Sequence, residues 1–230
     1  MTRQVNIIEE TQGYKKAIFR IIEAKLRHEK YDGSMSTEIT RLSLERGDGV
    51  AAIIHNPDDD TILMIEQFRY PTYRKTKNGW IKELPAGIVE EGEDPADTMK
   101  REIEEETGYA VDKLKHLYTF FLSPGGSSER IFLYYGRLDP NKKVNEGGGL
   151  DTESEDILTT HIKVDDALKK MSEQVFEDAK TILALQWLAM NRENLNQLDT
   201  DADATIVSKS QLKSKDVQPT KTDQKPDASI

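Results

Sequence analysis

The chain has 230 residues, with 32 lysines and arginines against 42 aspartates and glutamates, a net charge of −10 and no cysteine. The missing cysteines exclude a disulfide scaffold and thiol catalysis, and the acidic balance argues against a nucleic-acid partner, which would want clustered Lys and Arg. No apolar run approaches a membrane span and the opening MTRQVNIIEE lacks a signal-peptide core, so a cytoplasmic protein without a membrane partner is expected.

In chain order, residues 17–46 alternate as two strands joined at Tyr31-Asp32-Gly33, a hairpin signal, within a small N-terminal β lobe over residues 1–46. Val50–His55 and Ile62–Gln67 flank a turn at Asn56-Pro57-Asp58-Asp59-Asp60. The segment ILMIEQFRYPTY reads as a strand from Ile62 to Tyr73 and is followed by WIKELPAG. Arg69 in that segment suits bidentate contact with phosphate, or an ion pair with Glu66. Trp80 can stack on a base or pack beside a strand.

From Gly87 to Tyr109 the pattern becomes specific. Asp94 suits an N-cap and Pro95 the first helical position, where a missing N–H costs nothing; Gly108 suits the left-handed residue that ends a helix. Within those three turns Glu102, Glu105 and Glu106 stand at i, i+3 and i+4 on one face, beside an apolar stripe of Ala96, Met99 and Ile103. Like charges about 4 Å apart repel by roughly 1 kcal/mol in water and about 4 at an effective dielectric of 20, so a cation should neutralise them. Hard oxygen donors suit Mg²⁺ or Mn²⁺, although a solvated acidic helix face would carry the same residues.

Gly87, Glu93, Arg101, Glu102, Glu105, Glu106 and Gly108 resemble the Nudix box at every fixed position, with Tyr109 standing where an aliphatic residue is preferred. At about 7% per position, seven matches amount to a coincidence on the order of 10⁻⁸ per starting position. The resemblance implies an α/β fold, a Nudix-type α/β/α sandwich with a mixed sheet, over residues 47–194. It also implies metal-dependent hydrolysis of a nucleoside diphosphate linked to another group, with Glu102, Glu105 and Glu106 as metal ligands joined by the Ala86 carbonyl. Gly87 would allow that close backbone approach, and Glu93 and Arg101 would support the ligands.

Further along, Pro124 in FLSPGGSSER lies sixteen residues beyond Gly108, as in the ADP-ribose and nucleotide-sugar pyrophosphatase branch. GGGLDTESEDI, Gly147 to Ile157, resembles the branch's loop bearing a catalytic glutamate; its glycines read as a mobile arm, with Glu153 the first choice of general base and Glu155 the second. By the same resemblance Arg69 would face the diphosphate, Glu83 the terminal ribose and Arg46 the nucleotide, and the N-terminal lobe would form a homodimer. ADP-ribose, cleaved to AMP and ribose 5-phosphate, is the substrate the resemblance favours; GDP-mannose or another nucleotide sugar is the alternative. A non-catalytic nucleotide sensor is more remote, because every box acid is kept.

Strands are expected over Leu117–Leu122 and Ile131–Leu138, and helices over VDDALKKM and DAKTILALQWLAM, the last apolar through Leu183, Leu185, Trp187 and Leu188. Residues 195–230 lack aromatics and carry little apolar content, so a disordered polar tail is expected.

Overall fold

Three antiparallel strands precede the main sheet: β1 (Val5–Lys16), β2 (Phe19–His28) and β3 (Ile39–Glu45), in the order β1-β2-β3. They are seen in the computed structural model, which describes residues 3–150, 152 and 154–195. β2 and β3 are the expected hairpin, with Gly33 at φ 81° in its connection. β1 was not anticipated. Its apolar residues Val5, Ile7, Ile8 and Tyr14 break two-residue alternation and are all exposed, and its turn into β2 uses Ala17 at φ 51° rather than a turn-forming Gly or Asn.

The main sheet comprises β4 (Gly49–Asn56), β5 (Thr61–Phe68), β6 (Trp80–Glu83), β7 (Ala86–Ile88), β8 (Leu114–Phe121), β9 (Arg130–Arg137) and β10 (Leu158–Lys163). Its order is β10-β5-β4-β9-β8, with β6 on β5 and β7 on β4. β4 and β9 run parallel while the other pairs are antiparallel, so the sheet is mixed. β4 is buried throughout, as its run GVAAIIHN requires of a strand covered on both faces. Ala51 and Ile53 pack toward α3 (Val164–Ser172) and α4 (Ala179–Asn191); Val50, Ala52 and Ile54 pack toward α2 (Pro95–Thr107). The result is the three-layer α/β/α arrangement.

The extended reading of Ile62–Tyr73 is corrected at Phe68, where β5 stops and a short helix, α1 (Tyr70–Thr76), begins with Pro71 in its first turn. Proline there is already set for a helix start, and that preference wins. The short strands β6, β7 and β10 were also not singled out by the sequence.

The fork in this sheet positions the site. β4 and β5 pair only at His55↔Ile62 and Asn56↔Thr61, next to their connecting turn. Farther along, β4 pairs with β7 at Gly49–Ala51 and β5 pairs with β6 at Ile65–Phe68. The strands therefore splay, and the Glu83-Leu84-Pro85-Ala86 turn between β6 and β7 fills the gap, with Ala52 N–H donating to the Pro85 carbonyl at 3.1 Å.

A turn at Pro124 follows β8, with Gly126 and Ser127 N–H both donating to the Ser123 carbonyl. It also seats the N-terminal sheet: Leu44 N–H donates to Gly126 O at 2.8 Å and Ser128 N–H to Leu44 O at 3.2 Å. Leu195, which the sequence assigns to the tail, is buried in the core against α4; residues 196–230 lie outside the described residues. Among the described residues no helix is long and apolar enough to cross a membrane.

Candidate active site

α2 begins and ends as its residues dictate. Asp94 accepts the Ala96 N–H at 2.9 Å, Pro95 opens the helix, and Gly108 at φ 79° closes it by donating to the Glu104 carbonyl at 2.9 Å. Met99 and Ile103 are fully buried and fix the rotation of the helix, which turns Glu106 into the sheet fork.

Glu106 is only 2% exposed and accepts the Ala86 N–H at 3.0 Å. Burial holds its carboxyl well above the ordinary 4.5, with the Glu102 and Glu83 charges pushing the same way against the Ala86 N–H. Glu102 lies against β7: a Cβ on Gly87 would sit 2.1 Å from the Glu102 carboxyl carbon, so only glycine leaves room for that side chain. Arg101 binds three carboxylates at once, Glu105 at 2.9 Å, Glu102 at 3.1 Å and Glu93 at 3.6 Å. Glu93 also accepts the Thr98 hydroxyl at 2.7 Å, which with Arg101 holds its carboxyl below the usual range. Among the described residues the acids are not gathered into a three-ligand cage. Arg101 spreads Glu93, Glu102 and Glu105 around its guanidinium, and Glu106 is turned onto the Ala86 N–H.

On the other side of the fork Glu83, also 2% exposed, accepts Arg69 Nε at 2.6 Å. The ion pair with Glu66 does not form; Glu66 faces Lys82 at 3.7 Å instead. The second Glu83 oxygen faces Lys180 Nζ at 3.5 Å, and Lys180 is held by Asp178 at 2.7 Å. Asp178 is the N-cap of α4 and accepts both the N–H and the hydroxyl of Thr181, whose oxygen in turn accepts the Leu84 N–H at 3.1 Å. Thus α2 grips one end of the Glu83–Ala86 turn and α4 the other. Sequence reading missed Asp178, Lys180 and Thr181 as neighbours of the site. Asp178 was legible as a cap before an apolar helix, but its reach across the sheet was not.

The glycines at 147–149 are a helix cap in this structure rather than a mobile arm. All three have positive φ, Gly148 N–H donates to Glu106 O at 2.9 Å, and Gly149 N–H donates to Glu105 O at 3.0 Å. Thr159 on β10 adds its hydroxyl to the Glu106 carbonyl at 2.9 Å. These bonds satisfy carbonyls that a helix end leaves without partners, and they tie the acidic loop to the last turn of α2. Glu155 is folded back onto its own loop, accepting the Leu150 N–H at 3.1 Å. Glu153 lies outside the described residues. Arg46 is engaged on the lobe side, with Glu129 at 3.2 Å and the Phe19 ring at 5.9 Å. Trp80 packs edge-on against Phe68 and remains 59% exposed.

Residues 45–186 match the model of the NUDIX domain, which spans more than half of the chain. The chain belongs to the Nudix family. This Nudix hydrolase is 33% identical to the ADP-ribose pyrophosphatase of Escherichia coli strain K12 over 191 residues, 83% of this chain and 90% of that protein. The Haemophilus influenzae ADP-ribose pyrophosphatase is 33% identical over 198 residues, 85% of this chain and 90% of that protein. A GDP-mannose pyrophosphatase of Yersinia pestis is 33% identical over 159 residues, 69% and 79% of the two chains. Among solved structures, that of an ADP compounds hydrolase superposes with a TM-score of 0.61 at 18% identity, covering 82% of this chain and 96% of that one, and supports the fold.

Proposed function

We propose that this Nudix hydrolase cleaves the diphosphate of a nucleoside diphosphate sugar, with ADP-ribose converted to AMP and ribose 5-phosphate. The observation that carries the reading is the juxtaposition in the sheet fork of the buried Glu106 with the Arg69–Glu83 pair, acids for a cation beside a guanidinium for phosphate. Two ADP-ribose pyrophosphatases among the relatives support the substrate.

The donor set fits Mg²⁺ or Mn²⁺. Glu102, Glu105 and Glu106 are hard oxygen donors on one helix face, Gly87 leaves room for Glu102 against the backbone beside Ala86, and the burial that raises the Glu106 pKa disfavours a carboxylate charge that a cation would stabilise. A divalent ion held there supplies the positive charge that offsets the diphosphate and makes water more acidic. The protein's own residues do the rest. A loop carboxylate, Glu153 in the first assignment and Glu155 in the second, takes the proton of the attacking water as its oxygen bonds to phosphorus. The anhydride P–O bond breaks toward the leaving phosphate, and Arg69 holds the non-bridging oxygens. The family resemblance assigns Glu83 to the terminal ribose and Arg46 to the nucleotide, and Gly87, Glu93 and Arg101 keep the helix acids in place. Loss of turnover in Glu153→Gln with activity kept in Glu155→Gln supports the first assignment; the opposite pattern reverses it.

The exposed apolar residues Val5, Ile7, Ile8, Tyr14 and Phe19 of the N-terminal sheet support a homodimer formed through this lobe. The absence of cysteine supports a cytoplasmic location. The test of substrate is incubation with Mg²⁺ and, separately, ADP-ribose, GDP-mannose, UDP-glucose, NADH and a nucleoside triphosphate, with products resolved by chromatography. Fastest release of AMP and ribose 5-phosphate from ADP-ribose is expected. The Yersinia relative gives GDP-mannose as the second reading, and preference for it would move the assignment there. Turnover of none of the five, with the metal still bound, would overturn the ADP-ribose assignment and favour a sensor.

A further inference from the structure

We infer that Lys180 is a positioning residue for substrate binding, acting through Glu83 to keep the outer nitrogens of Arg69 available for an oxyanion. The inference rests on the proposed role of Arg69 at the diphosphate.

A carboxylate and a guanidinium left to themselves favour a fork with two parallel N–H···O bonds, which consumes Nε and one terminal nitrogen of the arginine. Here Arg69 gives Glu83 only its Nε, at 2.6 Å, and its two terminal nitrogens make no hydrogen bond among the described residues. The other Glu83 oxygen is drawn instead toward Lys180, 3.5 Å away. Lys180 is not a swinging surface amine. Its side chain is 13% exposed and its Nζ is fixed by Asp178 at 2.7 Å, so the four side chains Asp178, Lys180, Glu83 and Arg69 alternate in sign across the fork. With one cation on each oxygen, the buried carboxylate is oriented from both sides, and Arg69, 39% exposed, presents its free edge outward. The attachment of α4 does not depend on Lys180, because Asp178 caps the helix through Thr181 and Thr181 holds Leu84.

The test compares the full chain carrying Lys180→Met, Lys180→Arg and Arg69→Gln in steady-state hydrolysis of ADP-ribose, or of GDP-mannose should the panel prefer it, with Mg²⁺ in excess. Lys180→Met is expected to raise KM about tenfold, the scale of one well-placed hydrogen bond to a charged group, with kcat within about twofold. Lys180→Arg should restore KM to within about twofold, and Arg69→Gln should raise KM at least as far as Lys180→Met does. A raised KM in Arg69→Gln with an unchanged KM in Lys180→Met overturns the inference and leaves the assignment of Arg69 intact. Unchanged KM in both overturns the two together. A fall in kcat alone in Lys180→Met also overturns it. Should Lys180→Met fail to fold, Lys180→Gln, neutral but still polar, is read by the same criteria.

Discussion

Glu106 is a carboxylate placed where its charge is least welcome, 2% exposed and close to two other acids. Its pKa in the folded protein lies above the ordinary 4.5, so above that pH the folded state binds more protons than the unfolded one. The part of the stability that Glu106 contributes is then present at low pH and falls as pH rises from 4.5 through the raised value. The metal-free wild type should lose stability relative to Glu106→Gln as pH rises across that window. Added Mg²⁺ should stabilise the wild type by about 1.4 kcal/mol at ten times its Kd, and less in the variant. Identical pH slopes in the two proteins would remove the burial argument. Thermal melts with and without Mg²⁺ provide the check. At this scale the sequence was informative wherever neighbours in space are neighbours along the helix. Glu102, Glu105 and Glu106 share a face because of helical spacing alone. Glu83 and Lys180 are separated by 97 positions, and no periodicity relates them.

Among the elements, α2 was legible from end to end because Asp94, Pro95 and Gly108 act through local backbone chemistry. The loop at Gly147–Gly149 was not, because glycine content alone does not tell freedom from a required left-handed conformation. The partner decides it, and here the partner is the last turn of α2. The consequence can be measured. A Cβ on Gly147 would lie 2.5 Å from the Thr107 carbonyl carbon at φ 67°, whereas on Gly148, at φ 102°, the nearest atom is 3.8 Å away. Gly147→Ala should therefore cost more than the roughly 1–3 kcal/mol of backbone strain, and Gly148→Ala only the strain. Gly147→Ala should also lower kcat by moving the acidic loop. Equal losses in denaturant unfolding would show that the close packing against α2 is unimportant. β5 offers the opposite case: the extended reading ran through Pro71 because apolar content persists to Tyr73, while proline and the residues after it form a helix turn that redirects the chain and leaves Arg69 at the corner.

Across the whole molecule, the splay of β4 from β5 creates the site, and helices from opposite layers stabilise it. Glu106 reaches Ala86 from one layer and Thr181 reaches Leu84 from the other. The sequence announced the layers, since GVAAIIHN must be covered on both faces, but not the fork, which depends on pairing among β4, β5, β6 and β7. The N-terminal sheet leaves β1 exposed along its whole length. Light scattering should give a dimer mass for the wild type, and Ile7→Lys with Ile8→Asp should shift it toward monomer; a monomeric wild type would contradict the proposed lobe interface. A divalent cation held by the acids of α2 is proposed to drive diphosphate cleavage. The initial rate of ADP-ribose hydrolysis against Mg²⁺ concentration, for the wild type and Glu106→Gln, tests this. The wild-type rate should depend on Mg²⁺ and should fall by about a hundredfold or more in the variant, which remains folded. A rate indifferent to Mg²⁺, or an unchanged rate in Glu106→Gln, would contradict it.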